Sequence, residues 1–115
     1  MASLYDLNNE KTRYENLRKD INEIVSKLNN AIAGLDYPIS NLENGFKIDD
    51  YSQGAEKLRK IKTDLENRRN YLSSEVIVSI NNSISQIDGQ IKREEQRLRE
   101  EEEARLLALQ EENEV

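Results

Sequence analysis

Leu4-Tyr5-Asp6-Leu7-Asn8-Asn9-Glu10-Lys11-Thr12-Arg13-Tyr14 opens a repeat that carries on through Ile21, Leu28, Leu35 and Leu42, so that every seventh residue from Leu7 is apolar or aromatic. Three places earlier in each period stand Leu4, Val25, Ile32 and Ile39, with Lys11 and Arg18 as polar exceptions. An ideal helix turns every 3.6 residues, so a strict seven-residue repeat keeps one seam facing a partner helix only by supercoiling left-handedly. The stretch therefore predicts a long coiled-coil-like helix over about residues 4–44. Ser3 or Asp6 can cap its start, where an acidic side chain suits the positive end of the helix. Leu17 and Ile24 widen the stripe beyond two positions per heptad, and a seam that wide meets more than one neighbour. Gly34 and Pro38 interrupt it, yet Leu35, Ile39 and Leu42 stay in phase, which predicts a kink rather than a stop.

A second stripe supplies the partner: Leu58, Ile61, Leu65, Leu72, Val76, Ile80, Ile84, Ile87, Ile91 and Leu98. The seam slot between Leu65 and Leu72 falls on Arg68 or Arg69. From Leu72 to Ile84 the spacing turns to 4-4-4, which reads as a four-residue insertion that locally unwinds the supercoil. Val76-Ile77-Val78 could begin a strand. However, only Val76, Val78 and Ile80 alternate, no turn residues flank them, and the stripe passes straight through, so helix is expected. Asn44-Gly45 suits the end of the first helix, and residues 45–54 form the connector, with the turn residues Asn44, Gly45, Tyr51 and Gly54. A second helix begins near residue 50, capped by Asp49 or Asp50. A connector this short makes the two helices antiparallel neighbours.

The expected fold class is thus all-α: an antiparallel two-helix hairpin over residues 1–98, with a charged C-terminal helical extension over 99–115. At about 1.5 Å per residue, the first helix reaches about 60 Å and residues 50–112 about 95 Å. Residues 93–115 then overhang, and nothing within the chain covers Leu98, Leu106 and Leu109. The pairs Glu95–Arg99 and Glu101–Arg105, each acid four residues before its base, support a solvated helix there.

Composition narrows the function classes. Charged residues make up 35% and aromatic ones 5% of the 115 residues, with no Cys and no His. That pattern suits a thin apolar seam between solvated faces rather than a wide globular core. Without His and Cys the commonest general base, thiolate nucleophile and metal ligands are missing. Asp49-Asp50 and Glu100–Glu103 read as a cap and a solvated helical face, and the four Gly form no phosphate loop. No catalytic, cofactor-binding or metal site is expected.

The formal net charge is −6, and residues 92–115 set five basic side chains against nine acidic ones, a net of −4. No basic stripe is present to neutralise phosphates, so nucleic acid is not an expected partner. The longest apolar run, Val76-Ile77-Val78, is far short of the roughly 20 residues that span a bilayer. Met1-Ala2-Ser3-Leu4-Tyr5-Asp6 has neither the basic nor the apolar region of a Sec signal peptide. Cytoplasmic residence, or export by another route, is expected.

Each fully buried Leu or Ile contributes roughly 1.5–3 kcal/mol, so apolar positions outside the seam favour association. We expect Leu7, Tyr14, Ile21, Leu28, Leu65, Leu72, Ile80 and Ile84 to form the intramolecular seam. Leu17, Ile24, Ile77, Leu98, Leu106 and Leu109 are expected to face a helical partner, another chain or a second copy.

Long helices joined by Asn44-Gly45-Phe46-Lys47-Ile48-Asp49-Asp50-Tyr51-Ser52-Gln53-Gly54, together with Arg68-Arg69-Asn70-Tyr71-Leu72 and Val76 through Ile84, resemble the WXG-like small proteins of Gram-positive type VII secretion. The likeness is greatest to the longer-tailed ones that accompany LXG toxins, and it covers the layout of residues 1–98. The Trp-x-Gly turn of that family is absent, with Tyr51 and Gly54 near its place at a different spacing. Its export signal, an aromatic residue followed four later by an acid beyond the second helix, is also missing: Tyr71–Glu75 and Phe46–Asp50 have the spacing but lie elsewhere. The resemblance implies an adaptor or chaperone that binds the helical N-terminal region of a toxin, or another WXG-like protein, and supports export with a signal carried by the partner. The other function class left open is a self-associating coiled-coil scaffold or spacer, with the acidic overhang as its dimerising end.

Overall fold

The computed structural model describes residues 2–44 and 49–114, and for residues 49–52 the backbone alone. It is all-α, an antiparallel two-helix hairpin with an extended C-terminal helix, and no strand occurs among the described residues. The first arm is α1, Leu4–Asn44. The second arm is α2, Asp49–Tyr71, a single π-helical turn, Leu72–Val76, and α3, Ile77–Asn113. The connector expected over 45–54 lies outside the described residues at 45–48, including Gly45, and is helical from Asp49.

Ser3 caps α1: its Oγ accepts the Asp6 N–H at 3.1 Å, its carbonyl accepts the Leu7 N–H at 2.9 Å, and Asp6 places an acid in the first turn. α1 then runs unbroken through Pro38. Proline removes the donor that would reach the Gly34 carbonyl, an interior cost of about 3 kcal/mol relative to Ala. Both Gly34 and Pro38 face solvent, where water can take up that carbonyl.

The chain packs as two compact units. One holds residues 1–16 and 80–115, the other residues 17–79. In the first unit Leu7, Ile87 and Ile91 form a buried cluster with Leu4 and Tyr14 packed against it, and Lys11 pairs with Asp88 at 2.8 Å. In the second, Ile21, Ile32, Ile39 and Ala55 are buried, and Leu28, Leu35, Leu42, Leu58, Leu65 and Leu72 are half-buried. Its arms are linked by Asn29–Arg69, Asp36–Lys62 and Glu43–Arg59, in which one number falls as the other rises, the mark of antiparallel neighbours. Ala55 is almost wholly enclosed, and a Cβ built on Gly54 would stand 3.6 Å from Leu42 Cδ1, so small residues let the arms close up at this end.

The π turn occupies the stretch where the apolar spacing becomes 4-4-4. The Ile77 N–H bonds to the Leu72 carbonyl, an i to i+5 link that encloses one residue more than an α turn. Counted on inward-turned positions, Leu65, Arg69, Leu72, Val76, Ile80, Ile84, Ile87 and Ile91, the heptad phase gains a single residue there. Widening one turn is thus sufficient to restore phase, and the Ser73 and Ser74 hydroxyls donate to the Arg69 and Asn70 carbonyls beside it. Of the two arginines that competed for the seam slot, Arg69 takes it: it is half-buried and its Nη1 donates to Asn29 Oδ1 at 3.0 Å. Ile61, expected in the stripe, stays outside, and the adjacent Lys62 turns inward instead, laying its apolar stem along the seam.

Candidate functional site

With Leu7, Tyr14, Ile21, Leu28, Leu35 and Leu42 at heptad position d of α1, the seam has two flanks. Position e carries Asn29, Asp36 and Glu43, and position g carries Leu17, Ile24, Ala31 and Pro38. On the second arm within the unit of residues 17–79, Ala55, Lys62 and Arg69 hold position a and Leu58, Leu65 and Leu72 position d. Arg59 then falls at e, Ile61 and Arg68 at g, and Tyr71 at the neighbouring c. Antiparallel helices set e against e and g against g, so this unit has one e flank and one g flank.

The e flank is closed by polar contacts. Lys62 Nζ donates to Asp36 Oδ1 at 2.7 Å, Arg59 pairs with Glu43, and Arg69 reaches Asn29. The hydrogen bond and then the charge of Asp36 hold the Lys62 ammonium above its ordinary pKa of 10.5. In the other unit Asp88 does the same for Lys11. The shallow groove along the e flank is lined by Asp36, Ser40, Glu43, Arg59, Lys62 and Glu66, with Ile39 at its floor.

The g flank exposes large apolar side chains beside the charged Arg68 and Glu75. Leu17 and Ile24 are 46% and 47% exposed, and Ile61 and Tyr71 on the second arm are 49% and 58% exposed. Asn67, Arg68, Tyr71 and Leu72 border a shallow, open apolar depression on the surface of the second arm, where α2 gives way to the π turn. Four large apolar side chains thus stand exposed on one flank, opposite a flank closed by these three cross-arm contacts.

Of the residues expected to face a partner, Leu17 and Ile24 lie together on this flank. Ile77 turns half inward, because the π turn rotates the start of α3, and Val78 is exposed in its stead. Leu98, Leu106 and Leu109 are exposed in the unit that contains the C-terminal helix, joined by Leu107. There Arg97 bridges Glu94 and Glu101 and Arg105 bridges Glu102, contacts within one helix that hold the Glu94 and Glu102 carboxyls below the ordinary 4.5. Of the turn residues, Asn44 ends α1, Gly54 is half-buried in α2, Tyr51 has a helical backbone, and Gly45 and the Tyr51 side chain lie outside what is described. The periodicity did not single out Ile61 or Tyr71 for this surface, since Ile61 fits the apolar stripe and Tyr71 falls off it.

Among the described residues no three acidic side chains cluster closely enough to hold a metal ion, and no helix is long and apolar enough to cross a membrane. No family model, curated protein or solved structure matches the chain.

Proposed function

We propose that this chain is a non-catalytic helical adaptor that takes up another helical protein on the g flank of residues 17–79. One observation carries the reading: one flank leaves Leu17, Ile24, Ile61 and Tyr71 exposed, while the opposite flank is occupied by the Glu43–Arg59, Asp36–Lys62 and Asn29–Arg69 contacts. A helix laid on such a face is anchored at three- and four-residue intervals by its own apolar stripe. The resemblance to WXG-like proteins supplies the partner class. The N-terminal helices of a type VII secreted toxin are the proposed cargo, with the adaptor supporting its export.

Co-expression with a tagged toxin N-terminal region from the same locus tests this. Ile61→Asp and Tyr71→Asp should abolish co-purification while the circular dichroism of the free chain stays close to that of the parent. Arg59→Ala, on the closed flank, should leave capture intact. Capture that ignores both flank substitutions overturns the assignment.

A further inference from the structure

The g row of α1 matches itself when reversed. Read in one direction it is Leu17, Ile24, Ala31, and the adjoining c row holds Asp20 and Lys27. Laid antiparallel on an identical helix with a two-fold axis at Ile24, Ile24 meets its own copy, and Leu17 meets the small Ala31 of the second chain. Asp20 meets Lys27 of the second chain, and each of these last two contacts occurs twice. Large against small in the middle and opposite charges at the rim is how a helix–helix interface is specified.

Two facts point to an occupant outside the chain. All five side chains are exposed, and neither Asp20 nor Lys27 makes an ion pair among the described residues. Nor can they pair with each other. Seven residues apart on one helix, they stand about 10.5 Å apart along its axis, beyond ion-pair reach. The corresponding row on the second arm, Gly54, Ile61 and Arg68, has a similar rim pair in Lys57 and Asp64, but its middle is not apolar: a two-fold axis at Ile61 would set the charged Arg68 against Gly54, which is half-buried beside Leu42.

We infer that two copies of this chain associate through α1 in an antiparallel crossing centred on Ile24. This rests on the g flank being a docking face and divides that face between two occupants. The α1 row takes the second copy, and Ile61, Arg68 and Tyr71 remain for the cargo helix. A contact limited to one row of one helix belongs to the weak class of interfaces, so the dimer is concentration-dependent.

The chain has no cysteine, so Ile24→Cys introduces a single thiol at the axis. Under mild oxidation the purified full chain carrying it should become mostly disulfide-linked dimer, while Ile61→Cys stays mostly monomeric. In sedimentation equilibrium, Asp20→Lys and Lys27→Asp should each weaken the dimer about tenfold, since each reverses two rim pairs at once. The double variant should recover most of the parent's self-association. Both reversals are at exposed positions and leave the seam untouched.

Equal cross-linking at positions 24 and 61 overturns the inference. So does a double variant as weak as either single one, or a parent chain that is monomeric at about 1 mM. None of these measurements involves the toxin. Loss of capture with intact pairing would sink the adaptor reading alone, and the reverse would sink the pairing alone.

Discussion

Gly34 and Pro38 are the two residues of α1 whose backbone chemistry opposes a helix that nevertheless forms. A Cβ built on Gly34 meets nothing within 4 Å, and none of the described residues has a positive φ. Gly34→Ala should therefore stabilise the chain by about 0.4–1 kcal/mol through loss of unfolded-state freedom. Pro38→Ala restores the donor to the Gly34 carbonyl and should add up to about 3 kcal/mol. Urea unfolding followed by far-ultraviolet circular dichroism measures both, and a destabilised Gly34→Ala would mean that the backbone at 34 is not helical. At this scale the sequence was legible wherever a large apolar side chain marked a seam position: each one from Leu4 to Leu42 is buried or half-buried. It was opaque at Ala55, Lys62 and Arg69. Ala55 is too small to register as a stripe, and Lys62 and Arg69 bury only their stems while the charged ends reach Asp36 and Asn29.

Among the elements, the second arm shows why apolar spacing and helix type are separate questions. The 4-4-4 run betrays a phase change without saying whether it is spread over several turns or taken up in one. Backbone hydrogen bonding decides that, and here one π turn, Leu72–Val76, absorbs it. Ile77 turned half inward for this reason, although an uninterrupted α-helix would have left it outside. Deleting Ser79 leaves the inward positions at an unbroken 3-4 spacing from Leu65 to Ile91, so the widened turn loses its cause. That variant should unfold within about 1 kcal/mol of the parent. Deleting Lys60 instead throws Lys62, Leu65, Arg69 and Leu72 out of phase together and should cost at least about 3 kcal/mol, the range of multiple core disruptions. Thermal unfolding of the two deletions side by side is the measurement. Equal losses would mean that the π turn has a role beyond restoring phase. The candidate docking face belongs to this scale too. Its α1 half, Leu17 and Ile24, could be read from residues lying off the stripe, whereas its second-arm half emerged only once the register of Ile61 and Tyr71 was fixed by packing.

The molecule as a whole carries its cross-arm ion pairs at solvent-accessible positions, so the pH dependence of its stability should be shallow at neutrality and steeper at both extremes. Glu94 and Glu102 have their carboxyls held below 4.5 by hydrogen bonds from Arg97 and Arg105. A depressed carboxyl contributes stability that is present above its unfolded value and is lost as pH falls through the lower folded one. Stability should therefore decline below about pH 4.5. Lys11 and Lys62 are displaced the other way, above 10.5, by Asp88 and Asp36. Their contribution is complete below the unfolded value and disappears as pH rises through the folded one. The chain should accordingly hold a plateau between about pH 5 and 10 and weaken on either side. The alkaline fall can be assigned residue by residue. Lys62→Met removes the titrating ammonium but keeps an apolar stem in the seam, so it should flatten the drop above about pH 10.5 while leaving the acid limb in place. Melting temperatures of parent and variant from about pH 3 to about pH 11.5 would show this. An alkaline limb that survives in Lys62→Met and also in the matching Lys11→Met would place its origin outside the two lysine–aspartate pairs that join α1 to the second arm.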